Sequence, residues 1–339
     1  MIIDKNFSPL MEQCFCGKSF SVEETSALIH GMLDDTLSDI RIASVLTAFR
    51  FIDITKENIL SIIGACREKA TPLNKLTVSN IVDCGGTGGS TSQTVHISTM
   101  ASLVAAAAGA RVAKFSGKSL SSKSGSSAVL KFLNISPAVN VEDIDLGLNK
   151  TGIVFLDAAT FYPSLKNLSD IRKTLGFKTI IDLIFPLANP VQLSGQVVGV
   201  YHRDVMPLII SCLKDLGRKR ALVVHGEDGQ DEISVCSATY VSKLEDGKIT
   251  HEVWKPADFD IKIHPVSQLR ASNLENSAQV LLQVLSGKAP QSILDAVAVN
   301  AAGILWCAQM CNSVQEGLVL VKQAIETGKA LKTFESWTN

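Results

Sequence analysis

Ile81-Val-Asp-Cys-Gly-Gly-Thr-Gly-Gly-Ser-Thr-Ser-Gln-Thr-Val-His-Ile-Ser-Thr99 runs from a short apolar segment, through a glycine-rich loop, into the start of an apolar helix. Ile81 to Cys84 reads as a buried strand, and Ile97 to Ala108 as the helix that follows it. A strand, a glycine loop and a helix in that order form an anion-binding layout. Glycines without Cβ atoms let the backbone approach a ligand, and the amides of the loop and the helix start supply donors. The loop is followed by no GK[ST] and lacks the spacing of a dinucleotide fingerprint, so it is neither a P-loop nor a Rossmann turn.

Working outward, helical and strand patterns alternate. Strands are expected at Arg111 to Phe115, Gly152 to Leu156, Val197 to Tyr201 and Arg220 to His225. Helices are expected at Ser126 to Leu133, Val205 to Leu216, Asn276 to Leu285 and Ala289 to Cys311. Such alternation implies a mostly parallel sheet covered on both faces. Upstream, Ser21 to Ala70 carries apolar residues at helical spacing (Leu28 and Met32; Ile42, Val45, Leu46 and Phe49; Ile59, Ile62, Ile63 and Cys66), opened by a Ser21/Glu24 capping box. The fold class is therefore α/β, with an N-terminal helical domain over 1–73 and a large, mostly parallel-sheet α/β domain over 76–339. The amphipathic stretch Pro163 to Leu175 suggests that the chain returns to the helical domain near 163–176.

Composition narrows the function classes. Of 339 residues, 46% are hydrophobic and 19% charged, enough for a large core and too little polarity for disorder. Lys plus Arg (32) nearly balances Asp plus Glu (33), so no net field favours nucleic acid or an anionic membrane. Met1 to Ser8 lacks a secretory pattern, and no run of about 18 apolar residues occurs, so a cytoplasmic, membrane-free protein is expected. The eight cysteines lack paired metal spacing and read as reduced thiols.

Two further segments bear on chemistry. Lys114-Phe-Ser-Gly-Lys-Ser-Leu-Ser-Ser-Lys-Ser-Gly-Ser-Ser127 follows the next strand with three lysines and seven serines. Loops at the carboxyl ends of adjacent parallel strands converge on one crevice. Arg220-Ala-Leu-Val-Val-His-Gly-Glu-Asp-Gly-Gln-Asp-Glu232 is an apolar strand ending in an acidic loop, and the adjacent carboxylates Asp231 and Glu232 suit Mg²⁺.

The order of these segments resembles the anthranilate phosphoribosyltransferase family over nearly the whole chain. That family carries a GTGGD loop, an NIST helix start, a KHGNRSVSSxSGS loop, a VRxxLGxRT helix, a GPLxNP turn and a DE pair after a VVHG strand. The matching stretches here are Gly86 to Gly89, Ile97 to Thr99, Lys114 with Ser119 to Ser126, Ile171 to Gly176, Pro186 to Pro190, Val223 to Gly226 and Asp231-Glu232. Asn300 to Ala302 and Glu316-Gly317 also fit.

The resemblance implies a nucleoside phosphorylase/phosphoribosyltransferase-like fold, a homodimer formed by the helical domain, and a phosphoribosyl pyrophosphate donor held with Mg²⁺. The donor residues it implies are Gly86, Thr87, Gly88, Gly89, Ser90, Thr94, His96, Ser98, Thr99, Lys114 and Ser122. The metal would fall to Ser98, Asp231 and Glu232, and an aromatic carboxylate acceptor to Phe115, Gly117, Tyr162 and Arg172. The product would be a phosphoribosylated aromatic amine, a step of tryptophan biosynthesis if the acceptor is anthranilate. No covalent catalytic residue is implied.

The chain departs from the family where reactants are expected. Ser90 stands for the Asp of GTGGD, His96 for the Asn of NIST, and Phe115-Ser-Gly117 for HGN. Lys118 stands for the Arg of the second loop, Tyr162 for a histidine, Asp157-Ala158-Ala159 for FAP, and Phe185 for the glycine of GPLxNP. These changes should reshape the acceptor pocket. Two other readings stay open: a catalytically altered relative that binds nucleic acid or a nucleotide, and a pyrimidine nucleoside phosphorylase, whose KxSGR loop Lys114 to Lys118 resembles.

Overall fold

A computed structural model describes residues 2–73, 76–88, 94–117 and 126–338. The chain divides into two compact units, Met1–Pro72 with Ala158–Pro190, and Leu73–Asp157 with Val191–Asn339.

The first unit is helical. Helices Ile2–Phe15, Val22–Leu33, Asp39–Ala48 and Lys56–Glu68 come from the first segment, and Lys166–Leu175 and Ile180–Ile184 from the second. The capping box at Ser21 is formed: the Glu24 amide donates to the Ser21 hydroxyl, and the Ser21 amide to the Glu24 carboxylate. Thr55 and Asn58 cap the Lys56–Glu68 helix in the same way.

Asn58 does more than cap. It is 3% exposed; its Nδ2 donates to Thr25 Oγ1 at 2.9 Å and to the Phe20 carbonyl at 3.2 Å, while its Oδ1 accepts from Thr55. One amide therefore fastens two helices and the segment that leads into the first of them. Asn58→Ala should lower unfolding free energy by about 2–3 kcal/mol, because several buried partners lose their bonds at once. Urea denaturation checks this, and a loss below about 0.5 kcal/mol would contradict it.

The second unit is built on a seven-stranded sheet: β1 (Ile81–Gly86), β2 (Arg111–Ser116), β3 (Ile153–Asp157), β4 (Gly195–Gly199), β5 (Arg220–Gly226), β6 (Thr239–Glu245) and β7 (Lys248–Trp254). The spatial order is β3-β2-β1-β4-β5-β6-β7, parallel from β3 to β5 and antiparallel from β5 to β7. The last two strands form a hairpin that the sequence reading does not anticipate. β7 is exposed at most positions and carries Lys248, His251 and Glu252, so no apolar run marks it. β4 also begins and ends two residues earlier than its apolar run suggests, since Gly195 and Gly199 belong to the ladder.

On one face of the sheet, Val82, Cys84, Val112, Val197, Leu222 and Val224 join the Ile97–Ala108 and Gln291–Cys307 helices in a single apolar core. The second of these helices is buried along nearly its whole length. Among the described residues, no helix is long and apolar enough to cross a membrane. All eight cysteines are free thiols, and burial pushes the thiols of Cys66 and Cys84 up to about 12.

Candidate active site

The chain leaves β1 for β2 and β3 on one side, then returns to place β4 on the other. That reversal marks the point where open α/β sheets bind ligands, beyond the carboxyl ends of the strands. β1 pairs with β4 at five positions, Val82↔Gly195 to Gly86↔Gly199, but with β2 only at Ile81↔Arg111 and Val82↔Val112.

Past Val82, two buried side chains join β1 to β2. Lys114 Nζ donates to the Cys84 carbonyl at 2.5 Å, and the Phe115 amide donates to Asp83 Oδ1 at 3.2 Å. Lys114 is 2% exposed and Asp83 1%. A buried ammonium needs such partners. Lys114 also reaches Ser98 Oγ at 3.3 Å, which ties it to the first turn of the Ile97–Ala108 helix.

The glycine loop is fastened to β4. The Thr87 amide donates to the Gly199 carbonyl at 2.9 Å, and Thr87 Oγ1 accepts from the Tyr201 amide at 3.0 Å. Gly88 follows with φ +64°, a conformation that favours glycine, and its amide donates to Asp231 Oδ2 at 3.1 Å. Asp231 rests against two further glycines. A Cβ on Gly199 would lie 1.6 Å from its carbonyl oxygen, and one on Gly86 2.4 Å from Oδ2. Three glycines from two strand ends thus place one carboxylate.

Gly86, Ser98, Asp231 and Glu232, together with Cys84, Gly85, Val197, Gly199, Val224 and Asn300, line a cavity of about 20 Å³. Glu232 as a residue is half-buried, yet its Oε2 is shielded from solvent and has no hydrogen-bond partner. Burial raises its pKa well above the ordinary carboxylate value; the charge of Asp231 adds to this, and Lys114 opposes it. An orphaned carboxylate oxygen beside a second carboxylate and a serine hydroxyl is an oxygen donor set for a hard divalent cation. Among the described residues, no three His, Cys, Asp or Glu side chains gather for a metal. Mg²⁺ takes few protein carboxylates and completes its shell with water and phosphate.

Other expected residues have these places. Thr94 forms an isolated bridge with Arg270, and His96 caps the helix with its backbone, its carbonyl accepting from the Thr99 amide. Thr99 is fully buried and its hydroxyl has no partner. Gly117 is partly exposed just after β2, while Phe115 is 5% exposed and faces the interior. Gly89, Ser90 and Ser122 lie outside the described residues.

In the helical unit, Tyr162 is fully buried and its hydroxyl donates to the Ala188 carbonyl; burial raises its pKa. Its phenol is committed to packing and offers no open surface. Arg172 holds Asp182 Oδ1 from Nη2 at 2.6 Å, and Lys178 lies 3.7 Å from the same oxygen. Asp182 Oδ2 accepts from the Thr179 amide at 2.8 Å. Arg172 Nε is buried without a partner. Asp182 and Gly199 are absent from the sequence reading, which meets Asn300 only as the start of a matching stretch and gives it no role, although two glycines in so short a strand do signal close backbone approach.

The helical unit and the α/β unit each correspond to a domain of one glycosyl transferase family. Residues 78–331 match the glycosyl transferase family α/β domain, and residues 8–70 its helical bundle domain. Over 311 residues the chain is 37% identical to an anthranilate phosphoribosyltransferase of Polaromonas sp., covering 91% of this chain and 88% of that one. The enzyme of the same name from Stenotrophomonas maltophilia is 36% identical, with 93% and 92% covered. The crystal structure of anthranilate phosphoribosyltransferase from Thermus thermophilus superposes with a TM-score of 0.88 at 29% identity, covering 97% and 98% of the two chains. The Saccharomyces cerevisiae enzyme, solved in complex with PRPP and Mg, shares the fold with a TM-score of 0.85 at 24% identity, covering 96% and 95%. The chain belongs to the anthranilate phosphoribosyltransferase family and is a pentosyl-transferring enzyme.

Proposed function

We propose that this protein transfers the phosphoribosyl group of phosphoribosyl pyrophosphate (PRPP) to the amino group of anthranilate, a step of tryptophan biosynthesis. The observation that carries the reading is the small acidic cavity, where Asp231, Glu232 and Ser98 meet the glycine loop and Lys114 lies hydrogen-bonded to Ser98. Breaking the bond from ribose C1′ to pyrophosphate leaves negative charge on the leaving group and positive charge on the sugar. Lys114 is fixed in advance by its bonds to the Cys84 carbonyl and Ser98 Oγ, so its charge would stabilise the leaving group without reorganising. Asp231, Glu232 and Ser98 would hold Mg²⁺, which when bound neutralises pyrophosphate charge. The acceptor amine then attacks C1′, and its proton leaves to solvent or phosphate. No enzyme nucleophile is needed, because orientation of two bound reactants supplies much of the acceleration.

Calorimetry of PRPP binding with and without Mg²⁺, followed by fluorescence of anthranilate consumption, tests the reading. Binding at least about 10-fold tighter with Mg²⁺, and saturable anthranilate loss that requires PRPP, are expected. Equal binding with and without metal refutes the donor site. Release of ribose 1-phosphate from uridine and phosphate, without anthranilate loss, would make the protein a phosphorylase instead.

The same reading makes the enzyme a cytoplasmic homodimer. Phe15, Ile40 and Phe51 of the helical unit are 78%, 80% and 76% exposed, and such apolar surface favours a second copy. Light scattering at micromolar concentration should give twice the 36.3 kDa chain mass. A monomer mass across that range contradicts the dimer.

A further inference from the structure

The acidic turn is gripped from the middle of an apolar helix. Asn300 lies in the Gln291–Cys307 helix among buried Val297, Val299, Ala301 and Ala302, and is itself 2% exposed. Its Nδ2 donates to the Ile233 carbonyl at 2.9 Å, and its Oδ1 accepts from the Ile233 amide at 3.0 Å. A third bond runs from Nδ2 to the Ala296 carbonyl, 2.9 Å away, one turn back in the helix. The side-chain amide thus gives Ile233 both bonds that a neighbouring strand would give. Only a carboxamide offers a donor and an acceptor at this reach: aspartate lacks the donor, and an apolar residue lacks both.

The helix also receives the Ile233 side chain. Gly303, three residues on, has no Cβ, and one placed there would lie 3.1 Å from Ile233 Cδ1. Ile233 directly follows Glu232, and Asn300 lines the same cavity as Ser98, Asp231 and Glu232. The far side of the turn is braced separately: Ser234 Oγ donates to Asp228 Oδ2 at 2.7 Å, and the Ser234 amide to Thr239 Oγ1 at 2.9 Å. The glycines seat Asp231 from one side, and Asn300, by fixing the peptide at Ile233, sets the course of the backbone that carries Glu232 and Asp231 from the other.

We propose that Asn300 is a positioning residue, which aims Asp231 and Glu232 at the divalent cation and pyrophosphate through its double bond to Ile233. This rests on the metal reading above. Groups that orient metal ligands typically change metal affinity about 10- to 100-fold when removed. A mere fastener between helix and turn would change stability and leave metal dependence alone.

The test compares wild type, Asn300→Ala, Asn300→Asp and Ile293→Ala, the last a buried apolar residue two turns earlier in the helix. For each, Mg²⁺ is titrated at fixed PRPP by calorimetry, kcat is measured at saturating Mg²⁺ and PRPP, and the melting temperature is read without metal. Both Asn300 variants should raise the Mg²⁺ midpoint about 10-fold or more, with saturated kcat within about 3-fold of wild type. Ile293→Ala should melt earlier and keep the wild-type midpoint. Asn300→Asp is isosteric and retains the acceptor for the Ile233 amide, so it carries the test if the alanine variant does not fold. Unchanged midpoints in the Asn300 variants, beside a Mg²⁺-dependent wild type, overturn this inference alone. A wild type indifferent to Mg²⁺ overturns the metal reading and the inference together.

Discussion

Changing Asp231 and Glu232 together to alanine is expected to abolish the Mg²⁺ dependence of PRPP binding and to lower kcat/KM for PRPP about 1,000-fold. A factor of that size corresponds to about 4 kcal/mol of transition-state stabilisation. It is reasonable for a pair of carboxylates that would hold the cation on a departing pyrophosphate, since one lost oxyanion donor alone costs about 100- to 1,000-fold. Stability should move the other way. Glu232 has its pKa raised by burial, with the Asp231 charge adding to it. A raised carboxyl contributes stability that is full below its unfolded pKa, about 4.3, and is lost as pH rises through the folded value. Metal-free Glu232→Gln should therefore melt no earlier than wild type at neutral pH, and its melting temperature should fall less between pH 5 and pH 8. Activity retained within 10-fold in the double variant, or a large loss of melting temperature in Glu232→Gln, would remove Asp231 and Glu232 from the proposed role.

The parts of this site that the sequence displays are those built from neighbours in the chain. The strand Ile81–Gly86, its glycines and the helix at Ile97 are contiguous, so their order alone announces an anion-binding turn. The Asp231-Glu232 pair is likewise adjacent, at the end of a strand with a strong apolar run. The contacts that aim these groups are long-range. Gly88 meets Asp231 across 143 positions, and Asn300 meets Ile233 across 67. A single polar residue in an apolar helix or a glycine closing a strand is visible in the sequence, but its partner is fixed only by strand order and register. The β6–β7 hairpin is hidden for another reason: an edge strand open to solvent has no need of the apolar alternation that reveals a buried one.

Arg172 supplies the second large effect, and its surroundings set the sign of a third substitution. Under the proposed function its guanidinium receives the anthranilate carboxylate, so Arg172→Ala should raise the anthranilate KM about 10- to 100-fold, or roughly 1.5–3 kcal/mol, while PRPP binding stays unchanged. The guanidinium is already in contact with one carboxylate, since Asp182 lies 2.6 Å from Nη2 with Lys178 at 3.7 Å. Two cations sharing one anion leave a net positive charge, and the buried Nε still has a proton to donate. An incoming carboxylate is therefore attracted, but less than by a free arginine, because Asp182 repels it across the ring of charge. Asp182→Asn removes that repulsion and keeps an oxygen able to accept from Arg172. It should lower the anthranilate KM about 3- to 10-fold at constant kcat, even though the weakened cap at Thr179 costs about 1 kcal/mol of stability. Steady-state fluorescence at saturating PRPP reads both variants. An unchanged KM in Arg172→Ala places the acceptor carboxylate elsewhere, whereas a raised KM in Asp182→Asn alone makes Asp182 the support of Arg172 and not its competitor.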